Sequence, residues 1–310
     1  MRHLLKDSDL TAAETREILS LALDIKKSPE KYREALKDKT LIMYFEKSST
    51  RTRLSFEAGM TQLGGHAIFL DKKTTQVSIS ELRDEIRAIE RFADIIMARL
   101  MKHDTLKEMA EMINTPLING CCERYHPCQA IGDVLTMIEH GGDLKGKKIV
   151  WLGIANNVSN SLVQVCTKLG AKVTLCIPEK DPDAVDSAME EEAKKTGLYE
   201  ETTDLGCLKD ADFVHTDTWI NMEFINDPRF AGEKERRIKA FMPYQLNKAL
   251  LDRYGSKAKI MHCMPCHVGY EINRDAIDHR DSLIFGQAEN RMHAQKAIMV
   301  WLLRNKNQEQ

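Results

Sequence analysis

Residues 48–53, Ser-Ser-Thr-Arg-Thr-Arg, put four hydroxyls and two guanidinium groups on one short stretch. The run before it, TLIMYF (40–45), reads as a strand, and the residues after it read as a helix. At a helix start the unpaired backbone N–H groups and the positive dipole end attract an anion. Ser48, Ser49, Thr50 and Thr52 add hydroxyl donors there, and Arg51 and Arg53 add charge-assisted, two-pronged ones. The set suits a phosphate. A plain hydroxyl cap with solvated arginines is the alternative, but a cap needs one hydroxyl.

A second group sits in YHPCQAIGD (125–133). Pro127 is well placed as a first helical residue. His126 then stands at the mouth of that helix and Gln129 about one turn in, able to face one ligand, although a lone His and Gln are usually structural. MHCMPCHVGYE (261–271) invites two readings. His262, Cys263, Cys266 and His267 are metal-ligand types, and Cys-x-x-Cys can be a redox dithiol. Structural zinc needs a further ligand pair, which is not obvious, and a thioredoxin-type dithiol belongs early in a small domain. A single thiol, Cys263, at the C-terminal edge of a strand is the better candidate, because α/β proteins bind ligands there. Asp217 in HTDTWINM and the stretch GIANNVSN (153–160) end two other expected strands. Gly153 lacks the companions of a dinucleotide fingerprint. Arg291, in AENRMHAQKA, reads by itself as a surface arginine.

The elements that must position these groups alternate along the chain. Residues 11–27 form an amphipathic helix with Ile18, Leu19, Ala22 and Leu23 at helical spacing, and Thr11 with Glu14 makes a capping box. Strands are expected at 40–45, 67–70, 94–99 and 115–120, with Gly64-Gly65 stopping the helix after the arginine motif. GGDLKGKK (141–148) is the clearest boundary, after a helix at 129–140. A second alternation comes next, with strands at 149–155, 172–178, 212–218 and 259–265 and a last helix at 290–303. This is an α/β pattern in two domains, each a mainly parallel sheet flanked by helices.

The chain has 310 residues, 43% hydrophobic and 30% charged, enough for two cores. Lys+Arg at 45 against Asp+Glu at 47 gives a net charge of −2, so no global basic field points to nucleic acid. No apolar run reaches the roughly 18–20 residues that span a bilayer. The start, MRHLLKDSDL, has no signal-like apolar region, and eight cysteines in so long a chain read as reduced thiols. A cytoplasmic globular protein is expected, with no membrane association.

Together the motifs resemble the aspartate/ornithine carbamoyltransferase family, and within it the ornithine branch. The resemblance rests on STRTR at 49–53, HPCQ at 126–129, D-x-W-x-x-M at 217–222, HCMP at 262–265 and AENR at 288–291, in order and near the family spacing. It covers nearly the whole chain. It implies a carbamoyl phosphate-binding domain over 1–133, joined by 290–310, and an amine-binding domain over 134–289, linked by bridging helices. It further implies a homotrimer or a multiple of trimers, small-molecule substrates, and no metal or organic cofactor.

By this resemblance Ser49, Thr50, Arg51 and Thr52 hold the phosphate, and Arg99, His126, Gln129 and Arg291 complete the carbamoyl phosphate site with Cys263 and Met264. The amine falls to Asn157, Asp217, Asn221 and Met222, and catalysis to Arg99, His126, Cys263 and Asp217. The implied reaction is transfer of a carbamoyl group to ornithine in arginine metabolism.

The chain departs from the ornithine pattern on the amine side. Asn221-Met222-Glu223 stands where Ser-Met-Gly is usual, FINDPRFAGE comes after it like an insertion, and Gly153-Ile154-Ala155 replaces a Gly-Asp-Gly/Ala stretch. Cys266 also replaces the commoner residue at its place. Another amine (putrescine, lysine or a diamino acid) therefore stays open, as does a non-catalytic anion-binding relative. The 223–236 segment is expected to act as a flexible lid.

Overall fold

A computed structural model describes residues 2–220 and 225–306. Asn221 and Met222 lie outside the described residues. The chain divides into two compact units, one of residues 1–135 with 289–310 and one of residues 136–288.

In the first unit, strands β1 (Thr40–Phe45), β2 (His66–Asp71), β3 (Ile95–Arg99) and β4 (Leu117–Cys121) form a sheet of order β2-β1-β3-β4, parallel throughout. Helices α1 (Ala12–Lys27), α2 (Thr50–Gln62), α3 (Leu82–Glu90), α4 (His103–Met112) and the start of α5 (Pro127–Gly141) accompany it. β1 is apolar along its length because both its faces are covered, and residues 41–45 are all buried. Ile96, Ala98, Leu106, Met109, Leu117 and Tyr125 share one core cluster. Burying each large aliphatic side chain there stabilises the fold by about 1.5–3 kcal/mol. α1 starts as its capping box requires: the Thr11 N–H donates to Glu14 Oε2 at 2.8 Å, and the Glu14 N–H donates to Thr11 Oγ1 at 3.2 Å.

Strand order places the chemistry. The order reverses between β1 and β3, the position where open α/β sheets bind ligands. Phe45 pairs with Arg99, and Arg99 with Cys121 across a bulge at Ala98/Arg99, so the ends of three strands line up.

The second unit holds β5 (Lys148–Ala155), β6 (Lys172–Lys180), β7 (Tyr199–Thr202), β8 (Phe213–Thr216) and β9 (Lys259–His262) in the order β7-β6-β5-β8-β9, again all parallel. Its helices are α6 (Asn157–Lys168), α7 (Ser187–Lys195), α8 (Ala231–Phe241), α9 (Lys248–Tyr254) and α10 (Arg274–Ile277). Here the switch point lies between β5 and β8. Thr216 pairs with Leu152 on one side and His262 on the other, so Asp217 and Cys263 leave adjacent strands side by side.

Two sequence expectations differ from the structure. β7 (YEET) was not expected: it is an edge strand with two exposed glutamates and carries no apolar run. The last helix, α11 (Ile284–Arg304), starts six residues before the expected 290. Gly286 stands in its first turn, where a residue has no intrahelical hydrogen bond through its N–H to weaken. In the described part of the 223–236 segment lie a 3-10 turn (Pro228–Phe230) and the start of α8. Arg236 pairs with Glu179 at 2.6 Å, and Arg237 donates to the Trp219 carbonyl at 3.1 Å.

Candidate active site

In the first unit the anchor is Thr52, fully buried in the first turn of α2. Ser49 caps that helix, and its hydroxyl donates to Thr52 Oγ1 at 3.0 Å. Arg291, from α11, donates to Thr52 Oγ1 at 2.5 Å and to Gln129 Oε1 at 2.9 Å. Its Nη2 also lies 3.0 Å from His126 Nε2. A guanidinium only donates, so His126 Nε2 accepts and the proton sits on Nδ1. Arg99, at the end of β3, reaches the Gly120 carbonyl at 3.4 Å. Gln129 is turned by its amide, which donates to buried Asp133 at 2.8 Å.

Ser49, Thr52, Arg99, His126, Gln129 and Arg291 thus converge, from the ends of β1, β3 and β4 and from α11. Arg51 is half-buried, and its charge acts on both His126 and Arg291. Thr50 is exposed at the first helical position. Arg53 does not join: it pairs with Glu57 at 2.9 Å and lies over the Phe69 ring at 3.9 Å.

This cluster is electrostatically expensive. Burial and then the neighbouring Arg99 lower Arg291 to about 10, still protonated at neutral pH. Burial, then Arg291 and Arg99, hold His126 well below the ordinary histidine range, so its imidazole is neutral. Several buried donors share few acceptors, which is the arrangement an oxyanion or phosphate relieves. Gly132 eases it: a Cβ there would stand 3.1 Å from the Arg291 Cα, a tight contact that a larger residue would relieve only by pushing α5 and α11 a few tenths of an ångström apart.

In the second unit Asp217 follows β8. Asn156 Nδ2 donates to its Oδ2 at 2.7 Å, and the Thr218 N–H donates to its Oδ1 at 2.7 Å. Asn156 also caps α6, its Oδ1 accepting the Val158 and Ser159 N–H groups. Asn157 is the first residue of α6 and half-buried. Cys263 is buried just past β9, followed by Met264 at φ 55°. The Asp217 carboxylate, the His262 ring and the Cys263 thiol offer atoms within 4.8 Å of one another. Gly153, at φ 115°, sits under Trp219, where a Cβ would meet the indole Nε1 at 2.8 Å.

That trio is the only metal-like grouping among the described residues, and it omits Cys266 and His267. Its histidine is already committed. His262 Nδ1 accepts the Met264 N–H at 2.8 Å and Nε2 faces Glu271 at 3.1 Å, so no lone pair is left for an ion. Cys263 and Cys266 are both thiols outside any disulfide. Buried Cys122 and Cys128 are each pushed up to about 12 by burial, which keeps them protonated.

Sequence reasoning missed Asn156 and Gly132. Asn156 carries a helix-cap signal, but its grip on Asp217 spans 61 residues and no local pattern reveals it. Gly132 lies inside a motif already singled out, yet its role depends on α11, far along the chain.

Two family sequence models match. One described as "Aspartate/ornithine carbamoyltransferase, carbamoyl-P binding domain" covers residues 2–139. One described as "Aspartate/ornithine carbamoyltransferase, Asp/Orn binding domain" covers 145–302. The chain is 40% identical over 308 residues to an ornithine carbamoyltransferase of Vibrio sp. (strain 2693), spanning 98% of this chain and 100% of that one. It is 40% identical over 311 residues to one of Archaeoglobus fulgidus, spanning 98% of each. Among solved structures, ornithine carbamoyltransferase from Pyrococcus furiosus superposes with a TM-score of 0.88 at 39% identity, over 96% of each chain.

Proposed function

We infer that this chain, which belongs to the aspartate/ornithine carbamoyltransferase family, transfers the carbamoyl group of carbamoyl phosphate to the side-chain amine of L-ornithine, giving L-citrulline and phosphate. The observation that carries this reading is the Arg291 fork, bonded at once to Thr52, Gln129 and His126 beside Arg99. A group of buried donors that dense suits a substrate with both a phosphate and a developing oxyanion.

In this reading the first unit binds carbamoyl phosphate. Ser49, Thr50, Arg51 and Thr52, with the first-turn N–H groups of α2, take the phosphate. Arg99, neutral His126, Gln129 and Arg291 take the carbamoyl end. As the nitrogen attacks, negative charge grows on the carbonyl oxygen, and fixed donors aimed there stabilise the tetrahedral state. Removing one such donor typically costs about 10²–10³ in rate. Phosphate then departs with the electron pair of the broken C–O bond.

The second unit binds the amine. An ammonium has no lone pair, and a free alkylamine titrates near ~10.4, so the nucleophile must shed a proton first. Asp217 accepts a hydrogen bond from the nitrogen, and Cys263 orients it and passes on the proton. Asn157, Asn221 and Met222 complete the amine site, and Met264 closes it. No carbamoyl-thioester forms, because direct transfer needs no covalent intermediate.

The assembly we infer is a cytoplasmic homotrimer, or a multiple of trimers, serving arginine metabolism. Its support is the family resemblance, together with Leu54 and Ile68, exposed at 59% and 37% on α2 and the edge strand β2. Light scattering that returns a monomer mass would remove it. The decisive experiment is a steady-state assay of carbamoyl phosphate with ornithine, putrescine and lysine in parallel. Ornithine should give the highest kcat/KM, and a better turnover of another amine would overturn the substrate assignment while keeping the reaction class.

A further inference from the structure

A carboxylate stands beside the anion site, and the proposed reaction gives it no role. Glu46 directly follows β1 and lies three residues before Ser49, the cap of α2. A negative side chain near a phosphate is repulsive, so electrostatics alone argues against it there. Its bonds show what it does instead. Glu46 Oε2 accepts the Met101 N–H at 2.7 Å, and Oε1 accepts from Lys72 Nζ at 2.6 Å. Burial opposes its ionisation, but the Lys72 ammonium and the Met101 N–H hold the carboxyl below the usual carboxylate range. Glu46 is a fixed anion whose charge Lys72 offsets.

What Glu46 grips is the segment that carries Arg99. Its N–H donates to the Arg99 carbonyl at 2.9 Å, and its side chain takes the Met101 N–H two residues on. From the other side the Leu100 N–H donates to the Cys121 carbonyl at 3.1 Å. The chain past β3 is thereby pinned between the ends of β1 and β4. Arg99 Nη1 lies 3.5 Å from Thr52 Oγ1 and 3.4 Å from the Gly120 carbonyl. Both contacts are long for hydrogen bonds, so the aim of the guanidinium follows the backbone beneath it. The backbone bond to Arg99 survives any substitution at position 46, whereas the grip on Met101 does not.

We propose that Glu46 is a positioning residue: its carboxylate clamps the Arg99–Met101 segment through the Met101 N–H and so aims Arg99 at the carbamoyl end of the anion site. This rests on the reading that the first unit binds carbamoyl phosphate. Without the carboxylate the Met101 N–H turns to water, the segment loosens and Arg99 loses its bearing. A misplacement of ~1 Å in a site costs about 10²-fold in rate. The expected loss here is about 10–100-fold in kcat/KM for carbamoyl phosphate. KM for the amine, which the other unit binds, should stay unchanged.

Three substitutions in the full-length chain separate reach from charge. Glu46→Ala should show the loss in full. Glu46→Asp keeps the charge but falls one methylene short of the Met101 N–H, and should share the loss. Glu46→Gln gives up the charge but keeps an oxygen for that N–H, and should restore most of the turnover. In an Arg99→Ala background Glu46→Ala should cost nothing further, because the two residues act as one unit. A residue that only supports the fold would instead lower the melting temperature and add its effect to that of Arg99→Ala. Full additivity overturns the proposal. So does a Glu46→Ala with unaltered kinetics, a Glu46→Gln as poor as Glu46→Asp, or a defect confined to KM for the amine. Should Glu46→Ala not fold, the aspartate and glutamine variants decide. A wild type that binds carbamoyl phosphate but makes no citrulline sinks the amine assignment alone, and calorimetric titration of the variants with carbamoyl phosphate then judges this one. A wild type that binds no carbamoyl phosphate sinks both.

Discussion

At the ends of β1, β3 and β4 the first unit gathers Arg51, Arg99 and Arg291 around a neutral histidine, whereas at the ends of β5, β8 and β9 the second gathers a carboxylate, a cap amide and a thiol. Both sheets are parallel, both place these groups where strand order reverses, and both begin a helix there. The architecture therefore supplies location, and side chains alone supply polarity. The two regions also differ in how they are held. The first unit packs like charges together: burial and the neighbouring Arg99 lower Arg291 to about 10, a cost on the order of 3 kcal/mol. An anion would discharge that strain. In the second unit, by contrast, the Asp217 carboxylate has Asn156 and Thr218, and His262 has Glu271, Met264 and Gln287.

This contrast can be broken most sharply at Arg291. Arg291→Met should lower kcat/KM by about 10²–10³ and abolish the rise in melting temperature that phosphate gives the wild type. A saturating ligand at a hundredfold over its Kd stabilises by about 2.7 kcal/mol, so the lost shift is easily measured. A variant that instead keeps its phosphate response and loses amine affinity would contradict the division of roles.

Asp217→Asn tests the other side. Its kcat/KM for the amine should fall about 30-fold or more, the scale of a lost charged hydrogen bond, with phosphate protection intact by calorimetry.

Acid should separate the units next. His103, His126 and His293 all lie in the first unit, and burial depresses all three, His103 to about 4. An unfolded chain binds these protons near pH 6.5 and the folded one does not, so stability is full above that pH and falls as pH drops below it. Between pH 6.5 and 5 His103 alone accounts for roughly 2 kcal/mol. Hydrogen exchange at pH 5 should open first-unit amides before those of the second, and the reverse order would refute this.

The smallest effect belongs to the thiol. Cys263→Ala should cost about fivefold, near 1 kcal/mol for one neutral hydrogen bond, shift the pH profile of amine use and spare carbamoyl phosphate binding. A carbamoyl-thioester trapped on Cys263 would overturn its assignment as an orienting group.

How much of this was legible depends on the distance over which each feature is made. The eight strands read from apolar runs exist within a few residues of their expected places, because burial on both faces of a parallel sheet forces a continuous apolar stretch. Edge strand β7 escapes that rule and escaped notice. Ser49 and Thr52 were readable at the head of α2, since a cap is written in neighbouring residues. Arg291 alone read as a surface residue, and the resemblance, not its surroundings, drew it into the site.

By itself, then, the sequence determined two alternating α/β halves, the hydroxyl-arginine head of α2, the proline start of α5 and the thiol after β9, each set by local periodicity or capping. Tertiary structure alone decided that Arg53 turns outward to Glu57 while Arg291 turns in, that Asn156 grips Asp217, and that Glu271 reaches the ring of His262. Those choices rest on which donor meets which acceptor, at separations from four residues for Arg53 and Glu57 to 239 for Arg291 and Thr52, and only the folded chain decides which of them come within hydrogen-bonding distance.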